Sequence, residues 1–119
     1  MAATLIMMVG AHPLVEINWK DERGQCRKQL SENFTLGRGV ECEISFDDPM
    51  VSRKHAAVTF EAGHWWIEDQ GSANGTWVDG KRVQKAELAK RCEVRLSDTS
   101  PLMVIEIQSL SATTMILET

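Results

Sequence analysis

Apolar and polar residues alternate along most of this chain. Between Leu14 and Trp19, the apolar Val15, Ile17 and Trp19 are separated by Glu16 and Asn18, so an extended segment would turn one face inward and the other to water. The same period of two returns at Phe34 and Leu36, Ile44 and Phe46, Ala56, Val58 and Phe60, Trp65 and Ile67, Val94 and Leu96, and Met103, Ile105 and Ile107. These rows form the predicted core. They are short, and turn signals fall between them at Asp21 to Gly24, Ala62-Gly63, Gly71 to Gly75 and Asp79-Gly80. That rhythm predicts a β-sandwich or barrel rather than strands alternating with helices. Asp79-Gly80 is the strongest hairpin signal, a two-residue turn needing positive φ, and Asn74-Gly75 reads as another. Over residues 81–91, Val83, Ala86 and Leu88 make no stripe at helical spacing, so strand and loop are expected there.

Composition narrows the class. A chain of 119 residues, 43% hydrophobic and 25% charged, fits one folded domain whose core needs neither disulfide nor structural metal. The domain is expected over residues 4–108. Residues 109–119 turn rich in Ser and Thr and read as a flexible end or the start of a linker. A formal charge of −4 argues against a surface that coats itself on nucleic acid or anionic lipid. The sign is inverted locally: residues 71–92 carry Lys81, Arg82, Lys85, Lys90 and Arg91 against Asp79 and Glu87. Cys26, Cys42 and Cys92 are odd in number and widely spaced, which fits a reducing cytoplasm better than a disulfide framework or a zinc site. The N-terminus lacks a basic lead-in, and Leu5 to Val9 is too short for a signal-peptide core or a membrane span.

Little here suggests catalysis. Cys92, His12 and His64 are too scattered for a nucleophile pair. Asp47-Asp48 and Glu41 with Glu43 lack the ligand spacing of a calcium loop. Of Trp65-Trp66, one ring should point inward, which leaves no stacking platform. No catalytic residue, cofactor or metal is expected.

The polar groups beyond the strand ends are more informative. Gly37-Arg38, Ser52-Arg53-Lys54-His55, Gly71 to Thr76 and Asp79-Gly80 all fall in predicted loops, and loops at one end of a sandwich converge. Together they offer a guanidinium fork, a hydroxyl, an amide, further cations and glycine-freed N–H groups. These are donors for an anion with several acceptor oxygens, phosphate above all. A phosphorylated Thr brings about −1.5 to −2 charges at neutral pH, which an unmodified hydroxyl lacks.

With Gly37-Arg38, Ser52-Arg53-Lys54-His55, Ser72-Ala73-Asn74-Gly75-Thr76 and Asp79-Gly80 in this order, the chain resembles the forkhead-associated (FHA) domains over nearly its whole length. The resemblance implies an all-β, two-sheet sandwich of about eleven mainly antiparallel strands, of the FHA/SMAD-like kind. It also implies a phosphothreonine peptide bound by loops at one end. Arg38 and Ser52 would contact the phosphate, Arg53 would add a phosphate or backbone contact, and Asn74 would hold the peptide backbone. Lys54 and Ala73 would lie at the rim. Gly37, His55, Gly75, Thr76 and Gly80 would support the loops, with His55 bracing the Ser-bearing loop and Gly37 permitting the turn before Arg38. Two positions depart from the family pattern. Ala73 lacks a hydroxyl, worth about 1 kcal/mol as a typical hydrogen bond, and Asp79 would put a repelling carboxylate near the phosphate.

The implied partner is a Thr-phosphorylated protein or peptide, with no nucleic acid and no membrane. Two other readings stand beside it: a docking module indifferent to phosphorylation, or the regulatory domain of a longer enzyme. Thr113 and Thr114 each have an aliphatic residue three positions on, Ile116 and Leu117. A phosphorylated tail docking in another copy's pocket would give weak self-association.

Overall fold

The computed structural model describes residues 12–108. The expectations for Leu5 to Val9, for the domain's first residues and for the tail over residues 109–119 lie outside the described residues. Eleven strands follow one another: β1 (Val15–Asp21), β2 (Gly24–Leu30), β3 (Phe34–Gly37), β4 (Ile44–Ser45), β5 (Ala56–Glu61), β6 (His64–Asp69), β7 (Thr76–Val78), β8 (Lys81–Val83), β9 (Lys85–Glu87), β10 (Arg91–Arg95) and β11 (Met103–Ile107). They form a six-stranded sheet in the order β2-β1-β11-β10-β7-β8 and a five-stranded sheet in the order β4-β3-β5-β6-β9. The pair β3 and β4 runs parallel; the other paired strands with assigned register are antiparallel. The expected architecture is therefore present, including strand and loop over residues 81–91.

The inward rows read from the sequence meet between the sheets. Val15, Ile17, Trp19, Phe34, Leu36, Ile44, Phe46, Ala56, Val58, Trp65, Ile67, Val94, Leu96, Met103 and Ile105 are all buried. Burying a side chain such as Ile, Leu or Phe contributes about 1.5–3 kcal/mol, so this layer is the main source of stability. Phe60 and Ile107, expected in the same rows, are only partly buried and pack against its edge. Trp65 is inward and sealed, as the alternation requires, and its indole N–H donates to the Pro13 carbonyl at 3.0 Å, which satisfies the one polar atom of the ring. Val51 and Leu88 join the core from outside any strand.

Register brings three loops to one end. Leu36 lies opposite Ala56, and Ala56 opposite Asp69, so β3 ends where β5 begins and β6 ends. The segments after Gly37, before Ala56 and after Asp69 must therefore neighbour one another. Asn74-Gly75 is not the hairpin its sequence suggests. Strands β6 and β7 belong to different sheets, and residues 70–75 carry the chain across from one layer to the other. Asp79-Gly80 is a hairpin turn, with φ of 50° and 83°, joining β7 to β8. It lies at the far end of β7, roughly 10 Å along a three-residue strand, so the fourth polar group does not join the other three.

Candidate functional site

His55 is fully buried where the loops meet. Its N–H donates to the Leu36 carbonyl and its carbonyl accepts from the Gln70 N–H, both at 2.9 Å, extending the strand ladder into the loops. Its imidazole Nδ1 accepts the Ser52 N–H at 3.0 Å, and Nε2 lies 2.7 Å from the Gly75 carbonyl. An Nδ1 that accepts leaves the proton on Nε2, which donates to Gly75: the neutral tautomer is assigned by its partners. One ring thus ties the loop bearing Ser52 to the loop bearing Asn74, which is the bracing role expected.

Gly37 supports the site for a different reason from the one expected. It is not among the residues with positive φ, so no left-handed turn calls for glycine. A Cβ at this position would lie 2.2 Å from the Arg53 carbonyl oxygen and 3.0 Å from that of Ser52. The missing side chain lets the two loops touch backbone to backbone, and the Arg38 and Gly39 N–H groups then donate to the Ser52 and Arg53 carbonyls at 2.9 and 3.0 Å.

Arg38 is exposed, yet its Nε–H donates to the Val51 carbonyl at 2.9 Å. This fixes the guanidinium beside Ser52 and, among the described residues, leaves its two terminal nitrogens without a partner. The Ser52 hydroxyl oxygen accepts the Ala73 N–H at 3.1 Å, which leaves the hydroxyl hydrogen to be given elsewhere. Ala73 meets the site through its main-chain N–H, which links the third loop to Ser52. Asn74 Nδ2 donates to the Met50 carbonyl at 2.7 Å, holding the amide so that its oxygen faces away from that bond. Arg53 and Lys54, the next two residues along the same loop, are exposed.

Asp69, which sequence reasoning passed over, organises the third loop. Its Oδ2 accepts the Gly71 and Ser72 N–H groups at 3.0 and 2.9 Å, and its Oδ1 accepts the Thr76 hydroxyl at 2.7 Å and the Ser72 hydroxyl. Ser72 in turn accepts the Gly75 N–H at 2.9 Å. Burial pushes the Asp69 carboxyl up, but the hydrogen bonds from Ser72 and Thr76 outweigh it and hold the group below the usual carboxylate range. The signal was present: an Asp just ahead of a glycine-rich loop is the start of an Asx-type turn. Thr76 is fully buried on this carboxylate, as a supporting residue.

Asp79 does not threaten an anion at the site. Its carboxylate accepts the Glu93 N–H, and its own N–H donates to the Glu93 carbonyl, both at 2.8 Å. It extends the pairing of β7 with β10, while Gly80 supplies the second positive φ of the turn. Among the described residues, no helix is long and apolar enough to cross a membrane.

The FHA domain family model matches residues 34–97, the stretch from β3 through β10 that contains all three loops. Among curated proteins, the chain is 42% identical over 62 residues to the glycogen accumulation regulator GarA of Mycolicibacterium smegmatis, covering 52% of this chain and 39% of that protein. It is 37% identical over 62 residues to the oxoglutarate dehydrogenase inhibitor of Corynebacterium diphtheriae, covering 52% and 43%. The matched stretch thus spans about two-fifths of the length of these relatives. Among solved structures, the FhaA FHA domain in complex with the intracellular domain of Rv3910 superposes with a TM-score of 0.68 at 28% identity, over 77% of this chain and 99% of that one. A domain from a study of phosphothreonine-dependent FHA domain interactions gives 0.71 at 27%, over 81% and 98%. With the family model covering more than half of its residues and the site loops among them, this chain belongs to the FHA domain family.

Proposed function

We propose that this chain is a phosphothreonine-peptide reader that joins a Thr-phosphorylated protein to its surroundings without catalysing a reaction on it. The observation that carries this reading is the pairing of Arg38 and Ser52. Nε of Arg38 is held by Val51, and Oγ of Ser52 is held by Ala73, so the remaining donors of both side chains are free for one tetrahedral anion. Arg53 supplies a second cation, Lys54 and Ala73 form the rim, and the Asn74 amide takes the peptide main chain. Gly37, His55, Gly75 and Thr76 keep these loops in register, and Gly80 supports the separate turn between β7 and β8. A relative described as a regulator and another described as an inhibitor support a non-enzymatic role. Free Cys26, Cys42 and Cys92 fit the cytoplasm as its place. The reading takes residues 4–108 as the domain and residues 109–119 as a linker or flexible end.

The test is a titration with matched phosphothreonine, phosphoserine and unmodified peptides at a fixed ionic strength. Phosphothreonine peptide should bind selectively, and Arg38→Ala should weaken it about tenfold or more, the cost of losing hydrogen bonds to a charged group. An Arg38→Ala protein that binds as tightly as the parent overturns the reading. Equal binding of modified and unmodified peptide would favour the phosphorylation-independent docking module instead.

A further inference from the structure

Arg82 stands in the middle of β8, the edge strand of the six-stranded sheet, directly across from Trp77. It is exposed, and its guanidinium does not point idly into solvent. A Cβ built on Gly75 would lie 2.5 Å from Arg82 Nε and 2.9 Å from Cζ, so the head group lies over the glycine that follows Asn74. Trp77 approaches the same turn, its indole N–H donating to the Asn74 carbonyl at 3.2 Å. Among the described residues, no carboxylate pairs with Arg82 and no acceptor takes its side-chain N–H groups. Arg23, Lys85 and Arg91 are, by contrast, paired with Asp21, Glu61 and Glu106.

We infer that Arg82 reads an acidic side chain of the phosphorylated partner close to the phosphothreonine. The inference rests on the phosphothreonine reading of the same site, because it takes Asn74 as the point where the partner's main chain passes. A peptide held there runs beside a guanidinium that lies over the next residue, Gly75. A planar guanidinium with free N–H groups matches a carboxylate through two parallel hydrogen bonds, which a lysine ammonium cannot reproduce. Gly75 is part of the device. Its lack of a side chain lets the arginine lie against the loop instead of standing off from it, so the cation is directed toward the binding end.

The deciding experiment uses phosphothreonine peptides that carry Asp or Glu, or the isosteric Asn or Gln, at each position flanking the phosphothreonine. Each is titrated against the parent, Arg82→Lys and Arg82→Ala. At one or two positions the acidic peptide should bind the parent about two- to fivefold tighter than its amide counterpart, the range of an exposed ion pair. Arg82→Ala should abolish that preference and leave the amide peptide unchanged, and Arg82→Lys should retain only part of it. A preference that survives Arg82→Ala, its absence in the parent, or an equal loss for acidic and amide peptides overturns the inference. None of those results touches the phosphothreonine reading, which fails separately if the parent shows no phosphorylation-dependent binding to any peptide.

Discussion

Removing the Asp69 carboxylate would strand four donors at once: the Gly71 and Ser72 N–H groups and the Ser72 and Thr76 hydroxyls. Asp69→Ala is therefore expected to cost about 2–4 kcal/mol of unfolding free energy by denaturant titration, although Asp69 lies behind the loop that would meet a ligand. The sign with pH follows from a carboxyl held below its usual range in the fold. Its contribution is complete above the unfolded value, about 3.9, and disappears as pH falls through the lower folded value. The parent should thus lose more stability than Asp69→Asn on acidification below about pH 4, and parallel acid profiles would contradict the assignment. Arg38, Ser52, His55 and Asn74 could be read from the sequence because their side chains carry the chemistry at fixed spacing. The Met50 and Val51 carbonyls that hold two of them could not, since a carbonyl oxygen belongs to every residue and leaves no mark in the letters.

Among elements, legibility followed position in the sheet. The period of two is clear in β1, β5, β6 and β11, which are paired on both sides within their sheets and turn one face to the core. The edge strand β2 offers the core only Cys26 and Leu30, both partly buried, and β9 offers only Ala86, so neither writes a strong alternation. Asn74-Gly75 was misread because good turn chemistry looks the same in a hairpin and in a crossover; which sheet the flanking strands join is settled by distant partners. The two kinds of glycine lead to unequal predictions. Gly80→Ala meets open space and only the strain of a positive φ, about 1–2 kcal/mol. Gly37→Ala drives a Cβ into the Arg53 carbonyl and should cost about 3 kcal/mol or more, with loss of peptide binding as the Arg38 and Arg53 loops part. Denaturation midpoints in the reverse order would refute the close-approach explanation.

For the molecule as a whole, the proposed reading makes the sandwich a holder whose binding loops sit at one end. Two loops come from the five-stranded sheet and the third passes between sheets, so the core buried between the layers fixes their separation. The short alternating segments predicted a β-sandwich or barrel, the FHA resemblance implied two sheets, and that architecture holds because those segments are long-range partners of one another. The overall charge of −4 gave no hint of the local cations, because net charge is blind to where opposite signs gather. One consequence concerns time rather than affinity. The side chains at positions 38, 52 and 74 are tethered within the protein itself, by Val51, Ala73 and Met50. A phosphopeptide then meets a finished site, and stopped-flow rates should rise linearly with peptide concentration, slowing as salt is added, while peptides of different strength differ mainly in how quickly they leave. A rate that levels off at high concentration would reveal a loop that must first rearrange, and the tethers would have to be released before capture.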